Sequence, residues 1–271
     1  MTTRREALIA AALLMGPALS LAQGRGPVPR GSLSLLSYYD YPPFSTGPHE
    51  GLNFELQAWL RQRSDSPLDS CELEVLPRRR VNARVEAPGW SGLVPWVAPS
   101  WFKDPDRKLF VWSAPVLDDE DLVLSLRRNP LLFDGMASLR GRTLGGVFGH
   151  VYADADPLAE RGELRRFDSF TQEANLRMLL AGRVDAIFLS RSGLPWWRQR
   201  FPEFDEQLQV SLKPRMRYQR HLMLSPLLPD GLREWLLDAA AQMGSDPAWR
   251  EALRRYGLPV AGAERQEARQ A

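Results

Sequence analysis

The sequence alternates short β-compatible runs with amphipathic helical runs, and it does so in two successive blocks. In the first block an apolar run at 32–38 precedes a segment at 52–63, where Leu52 and Leu56 stand one helical turn apart, and an alternating run follows at 71–76. Two short strands that flank one helix of this length usually run parallel. Because parallel strands need helices on the faces of their sheet, the order predicts an α/β fold.

A second block of the same kind begins after residue 142. It predicts strands at 143–148, 164–167 and 186–190, with a helix at 169–181 that Ser169 caps at its N-terminus. Two closing helices, predicted at 231–243 and 247–256, have no strands of their own. Their apolar faces must therefore pack elsewhere, and the first block is the natural host.

Between the blocks, residues 77–106 are interrupted by prolines and glycines and contain Trp90, Trp96 and Trp101. We expect mostly loop and short pieces here, because proline and glycine break regular elements. Long loops in compact domains are usually functional, so this segment is expected to contribute to a binding site.

The first 22 residues predict a secretory signal. Arg4 and Arg5 precede an apolar stretch at 7–21, and small residues lead to a cleavage position near Ala22. A transmembrane anchor is disfavoured, since the uninterrupted apolar run is short and Pro17 interrupts it. The signal implies a periplasmic protein, with general secretory and twin-arginine export both open.

Composition excludes several classes of protein. A formal net charge of +2 argues against a nucleic-acid partner, and 44% hydrophobic residues exclude a disordered chain. The single cysteine, Cys71, cannot form an internal disulfide, and it does not follow the apolar run as a lipid anchor would require. The three histidines lie far apart, so we expect neither a metal site nor a cofactor.

The two blocks predict two lobes around a cleft. The expected organisation is a signal at 1–22, a first lobe at 32–127, a second lobe at 128–213, a return to the first lobe at 214–258 and a flexible tail at 259–271. Two crossings, near 124–129 and 212–222, would form the hinge.

Seven short motifs then occur in a fixed order. They are Tyr41-Pro42-Pro43-Phe44, the start of the first helix at 51–55, Leu76-Pro77 with Arg80, Asp106-Arg107-Lys108, Trp112-Ser113-Ala114-Pro115, the stretch 139–145 with Gly149, and the stretch 180–186. Together they resemble the periplasmic solute-binding proteins of the polar amino-acid ABC transporter class, extracellular solute-binding family 3, in a divergent form that spans about residues 32–258. The resemblance implies a type II-like two-lobed periplasmic-binding-protein fold, a small-molecule ligand, an ABC permease as partner and a monomer.

The resemblance also implies site residues in the first lobe. Arg107 stands where the family places the arginine that takes the ligand carboxylate, and arginine suits this role because it binds carboxylates in a bidentate manner. Tyr41 and Phe44 follow a strand end, where α/β sheets bind ligands, although both also fit a role in the core. Ser100 and Trp101 are expected in the cleft wall.

In the second lobe Gly149 and His150 follow a strand and precede a helix, where free N–H groups favour an anion. Ser190 stands where the family has an aspartate that neutralises the ligand ammonium. Serine cannot offset a buried positive charge. We therefore expect an organic anion, or an amino-acid-like solute if Asp40 or Glu55 supplies the missing carboxylate.

Three functions remain open from the sequence. The first is a binding protein for ABC-type import of a small polar, carboxylate-bearing solute. The second is a periplasmic enzyme on the same scaffold, similar to cyclohexadienyl dehydratase, although no catalytic residues are indicated by spacing. The third is a binding partner of a sensor or dehydrogenase system.

Overall fold

The computed structural model describes residues 31–259, and strands and helices alternate along this part of the chain. Its ten strands are β1 (Gly31–Ser37), β2 (Leu68–Val75), β3 (Leu93–Val97), β4 (Val111–Trp112), β5 (Leu117–Leu126), β6 (Thr143–Val147), β7 (Arg165–Ser169), β8 (Ala186–Ser190), β9 (Leu208–Val210) and β10 (Met216–Leu224). Its eight α-helices are α1 (Leu52–Gln62), α2 (Arg78–Glu86), α3 (Asp156–Glu160), α4 (Gln172–Leu180), α5 (Leu194–Arg200), α6 (Phe204–Gln207), α7 (Asp230–Met243) and α8 (Pro247–Arg255). None of these helices is long and apolar enough to cross a membrane. The expected signal at 1–22 and the tail beyond 259 lie outside the described residues.

The strands form one continuous path in the order β2-β1-β3-β10-β5-β8-β6-β7. The strands β1 and β2 pair in parallel around α1, as the sequence predicts, and β6 pairs in parallel with both β7 and β8. The strand β10 changes partner along its length. Its first half pairs with β5, from Met216 opposite Asp121 to Arg220 opposite Leu117, and its second half pairs with β3. The antiparallel pair of β5 and β10 therefore joins the two parts of the sheet.

The buried apolar side chains separate into groups on either side of this join. One group contains β1, β3, the end of β10 and the closing helices, with Trp96 stacked on Trp249 at 5.9 Å between ring centroids. Two further groups come from residues 122–208, and consecutive residues of β5 alternate between them: Val123 enters one, and Leu122 and Leu124 enter the other. The lobe boundaries at 127 and 213 stay predictions. Leu122 and Leu124, which precede the first boundary, already pack with one of the two buried groups formed by residues 122–208.

The expectation of mostly loop at 77–106 is wrong in two places. The helix α2 fills the stretch between Pro77 and Pro88, which contains no helix breaker, and its buried residues Val81 and Val85 lie one turn apart. The strand β3 is buried throughout although it contains Pro95. Proline and glycine therefore mark the ends of these elements more than they interrupt them.

The N-cap of α4 also differs from the prediction. The helix begins at Gln172, and Thr171 is the capping residue, because its side-chain oxygen accepts a hydrogen bond from the backbone N–H of Ala174 at 3.0 Å. Ser169 instead ends β7, and its hydroxyl donates to the carbonyl of Thr171 at 3.0 Å. The short helices α5 and α6 have no counterpart in the sequence prediction.

Candidate functional site

A cleft of about 540 Å³ opens beside the pair of β5 and β10, and its walls come from both parts of the molecule. The aromatic residues that line it are Tyr38, Tyr39, Tyr41, Trp101, His150, Tyr152 and Tyr218. The charged residues that line it are Arg78, Arg79, Lys103, Asp121, Arg215 and Arg220. Five cationic side chains thus face one carboxylate, so the cleft favours an anion with an apolar, planar body.

A buried ion pair lies at the base of the cleft. Arg220 of β10 and Asp119 of β5 approach to 2.8 Å, and both side chains are 1% exposed. Ser192 donates to Asp119 from its hydroxyl at 2.7 Å and from its backbone N–H at 3.1 Å. Arg220 donates further bonds to the Trp96 carbonyl at 2.9 Å and to the Tyr218 hydroxyl at 3.1 Å. The donors of Arg220 are thus already engaged by protein groups. We conclude that Arg220 holds β5 and β10 together.

The Trp96 carbonyl that receives Arg220 depends on an unusual backbone conformation. Trp96 has φ 66°, in the left-handed region that bulky residues avoid. Its carbonyl also accepts a hydrogen bond from the Tyr39 hydroxyl at 2.9 Å, and its indole N–H donates to Asn53 Oδ1 at 2.9 Å. These bonds hold the strained residue in place and connect the end of β3 to the pair of β5 and β10.

Three cations of the cleft, Arg78, Arg79 and Lys103, form no ion pair with a described carboxylate, and Arg78 is the half-buried one of the three. Its guanidinium packs against two neighbouring aromatic rings, 4.3 Å from the Tyr38 centroid and 4.4 Å from the Phe102 centroid. It donates hydrogen bonds to Asn82 Oδ1 at 2.9 Å and to the Trp101 carbonyl at 2.5 Å. No carboxylate of the described residues forms an ion pair with it. The stacked, preoriented guanidinium is therefore suited to a carboxylate ligand.

The carboxylate of the cleft, Asp121, is already engaged. One oxygen accepts the Tyr218 hydroxyl at 2.8 Å, and the other accepts Arg215 Nη2 at 2.8 Å. Arg215 also bonds Asp154 at 2.7 Å, and its guanidinium lies 4.4 Å from the centroid of the Phe188 ring. An incoming ammonium group would have to compete with Arg215 for Asp121.

His150 faces Tyr41 across the cleft, and the centroids of the two rings are 6.3 Å apart. Burial, together with the positive charges of Arg78 and Arg166, lowers the pKa of His150 to about 4. The imidazole is therefore neutral at physiological pH and presents one N–H donor. Burial also raises the pKa of Tyr41 well above its usual value, so that phenol stays protonated.

The structure brings five of the eight sequence-predicted site residues to the cleft. They are Tyr41, Ser100, Trp101, Gly149 and His150. Phe44 lies behind them, fully buried, with the Arg220 guanidinium 4.6 Å from its ring centroid. Ser190 is buried beside the ion pair, with its hydroxyl 3.3 Å from that of Ser192.

Arg107 lies outside the cleft. It is exposed and has φ 56°, in a turn where its backbone N–H donates to the Asp104 carbonyl at 2.9 Å. The buried carboxylate of Asp104 organises this turn by accepting backbone N–H bonds from Lys108, Leu109 and Phe110. The local sequence therefore folds Arg107 onto the surface, and the arginines that line the cleft without an ion pair to a described residue are Arg78 and Arg79.

Sequence reasoning missed Arg78, Arg215, Tyr218 and Arg220. A signal for Arg78 was present, since it directly follows Pro77 at the start of a stretch without helix breakers. The alternation of Tyr218 and Arg220 along one strand places both side chains on one face, which was a second signal. The two carboxylates proposed as substitutes for the missing aspartate do not line this cleft. Asp40 lines a neighbouring cavity, and Glu55 bonds Arg255 at 2.6 Å.

Solved structures of binding proteins share this fold. An ancestral arginine-binding protein bound to arginine superposes with a TM-score of 0.66 at 13% identity, over 84% of this chain and 98% of that one. A putative binding component of an ABC transporter from Wolinella succinogenes, complexed with lysine, gives 0.64 at 13% identity over 88% and 99% of the two chains. An ancestral amino-acid-binding protein described as a precursor of cyclohexadienyl dehydratase gives 0.62 at 14% identity over 83% and 95%.

These comparisons confirm the α/β fold of two-lobed binding proteins that the sequence predicts. No protein-family model matches the sequence, and no curated protein matches it significantly. The chain is therefore a divergent representative of this fold, and its ligand has to be argued from its own cleft.

Proposed function

We propose that this chain is a periplasmic solute-binding protein for ABC-type import. Its solute is a small organic anion whose body is apolar and planar. The observation that carries the proposal is the Arg78 guanidinium, which is half-buried, packs against two aromatic rings and lacks a carboxylate partner among the described residues. Similarity of fold to proteins solved with arginine and lysine supports a binding role.

The charge of the cleft argues for a solute without a free α-amino group. The residue at the position of the family aspartate is Ser190, and the carboxylate of the cleft, Asp121, is held by Arg215 and Tyr218. An ammonium group in this cleft would therefore lack an unengaged carboxylate while lying near several cations. Such a group costs several kcal/mol when it is removed from water without a partner. An anion instead gains charge-assisted bonds from Arg78 and the neutral donor of His150.

Binding of named probes tests the proposal. Titration calorimetry with benzoate and with L-phenylalanine compares two carboxylates on aromatic bodies, of which only phenylalanine carries an α-amino group, and 3-phenylpropanoate controls for the longer chain of phenylalanine. We expect benzoate to bind more tightly. Tight binding of phenylalanine with no binding of benzoate would refute the proposal, and conversion of a bound cyclic carboxylate into a product would place the chain among enzymes instead.

The variant Arg78→Gln identifies the residue that takes the carboxylate. Loss of one charge-assisted pair is expected to weaken benzoate binding about tenfold to a hundredfold. Arg80→Gln is the matched control, because Arg80 lies on the same helix and is exposed outside the cleft. Equal affinities of wild type and Arg78→Gln would contradict the assignment.

A further inference from the structure

Three cations of the cleft have no counter-ion among the described residues. They are Arg78, Arg79 and Lys103, and none of them forms an ion pair with a described carboxylate. The other two cations of the cleft are balanced within the protein, since Arg220 and Arg215 each bond a carboxylate at 2.8 Å. The cleft therefore carries positive charge that the folded chain does not neutralise, and such a cleft attracts anions from solution.

The three unpaired cations come from two segments that are held together. Arg78 and Arg79 are consecutive at the start of α2, and Lys103 ends a short helical turn. The two segments meet at Arg78, which donates to the Trp101 carbonyl at 2.5 Å and packs 4.4 Å from the centroid of the Phe102 ring. Because Lys103 directly follows Phe102, the three cations lie on one side of the cleft.

The carboxylates nearest to these cations are engaged by other groups. Asp104 follows Lys103 directly, but its side chain is 2% exposed, does not line the cleft and accepts hydrogen bonds from three backbone N–H groups of its own turn. The carboxylate that lines the cleft, Asp121, bonds Arg215 and Tyr218. Like charges that lie close together without a counter-ion repel one another, so an added anion would stabilise the three cations.

Arg78 by itself has room for one carboxylate. Two of its guanidinium donors are engaged, Nε by Asn82 and Nη2 by the Trp101 carbonyl. The free donors lie on its two terminal nitrogens, which suits a single bidentate carboxylate. Arg79 and Lys103 are exposed side chains that line the same cleft, so they are available for a second anionic group. The cleft volume of about 540 Å³ falls within the range of roughly 300–1,000 Å³ for sites of drug-sized ligands, so a body with two such groups fits.

We propose that the solute of the cleft is a dicarboxylate, with one carboxylate at Arg78 and the second at Arg79 and Lys103. The proposal rests on the proposed function, because it adds a second anionic group to the solute of that same cleft. Two carboxylates on one planar body bring one anion to the half-buried cation and another to the two exposed cations. Exposed ion pairs contribute little each, so we expect the second carboxylate to give a modest gain in affinity that is sensitive to salt.

Titration calorimetry on the full chain tests the second carboxylate with matched probes. Terephthalate and 4-carbamoylbenzoate have nearly the same shape and differ in one charge, and isophthalate and 3-carbamoylbenzoate form a second pair with another angle between the groups. In at least one pair we expect the dicarboxylate to bind about threefold to tenfold more tightly at low ionic strength. This gain should shrink in about 1 M salt, where the Debye length falls to about 3 Å.

Charge-removing variants locate the second carboxylate. In the double variant Arg79→Gln with Lys103→Gln, the dicarboxylate and its carbamoyl counterpart should bind equally, because the second carboxylate has lost both of its cations. Arg80→Gln with Lys108→Gln is the matched control. It removes the same charge from nearby exposed positions that do not line the cleft, so the wild-type gain should remain.

Equal affinities within both pairs in the wild type would overturn the proposal, and so would a gain that the double variant at Arg79 and Lys103 retains. Phenyl phosphate carries both charges on one group. If it bound more tightly than either dicarboxylate and lost this affinity in Arg78→Gln, both charges would lie at Arg78 and the proposal would be wrong. Benzoate reports on the proposed function separately. Benzoate that binds without any gain from a second carboxylate contradicts the dicarboxylate alone, whereas absence of binding by every probe contradicts both proposals.

Discussion

Replacement of Asp119 by alanine should destabilise the protein strongly. Asp119 is the carboxylate that balances Arg220, and both side chains are 1% exposed. Without it, Arg220 keeps two neutral acceptors, the Trp96 carbonyl and the Tyr218 hydroxyl, but no counter-charge. Breaking a buried pair by removing one partner typically costs about 3–5 kcal/mol. That is a large share of a typical unfolding free energy of about 5–15 kcal/mol.

The double variant Asp119→Leu with Arg220→Met separates the pair from its desolvation cost. Removing both charges leaves no uncompensated ion in the core, and such replacements are often close to neutral. We therefore expect the double variant to be more stable than Asp119→Ala by about 2 kcal/mol or more. The hydroxyl of Ser192 loses its acceptor in both variants, so its contribution cancels in this comparison.

Urea unfolding followed by tryptophan fluorescence measures both differences, provided that the dependence on urea concentration keeps its slope. Asp118→Ala is the control, because the neighbouring side chain is exposed and bonds only Gln219 among the described residues, at 3.0 Å. If Asp119→Ala lost less than about 1 kcal/mol, or were as stable as the double variant, the ion pair would not carry the role assigned to it.

Two further predictions concern pH and the closing helices. The folded pKa of His150 is about 4, below the ordinary 6.5, so the unfolded chain binds more protons between these values and stability falls as pH is lowered from about 6.5 to about 4. His150→Gln should flatten the dependence of melting temperature on pH in that window, and parallel curves for variant and wild type would contradict this origin. Trp249 of α8 is 1% exposed and contacts Trp59 and Trp96. Trp249→Ala should therefore cost about 3–5 kcal/mol in thermal or urea unfolding, and a loss below about 1 kcal/mol would mean that α8 is dispensable to the core.

The order of elements could be predicted from sequence because local patterns determine it. Apolar periodicity located α1, α7 and the strands of both blocks to within a few residues. The errors came from treating prolines by number rather than by position. Pro77 stands at the N-cap of α2, where its missing N–H removes no helical hydrogen bond, so the arginine-rich stretch after it is free to be helical.

The site was predictable only where its residues are set by local sequence. Tyr41, Gly149 and His150 follow strand ends, and strand ends in such sheets converge on a cleft. The arginines of the cleft could not be told from surface arginines in this way. Lysine occupies only three of the 35 basic positions, so arginine is common along the whole sequence. Burial of Arg220 depends on Asp119, which lies 101 residues away along the chain, and only the folded sheet brings them together.

The pairing of Leu117 with Arg220 has a consequence for how the chain can be cut and rejoined. The segment from 118 to 219 leaves and returns at neighbouring positions on antiparallel strands, so its two ends are about one strand spacing apart, roughly 5 Å. A two-residue hairpin turn is enough to bridge such ends. Because the excised segment includes Asp119, the counter-charge of Arg220, such an excision would be combined with Arg220→Met. The excised piece would carry adjacent termini suited to head-to-tail cyclisation.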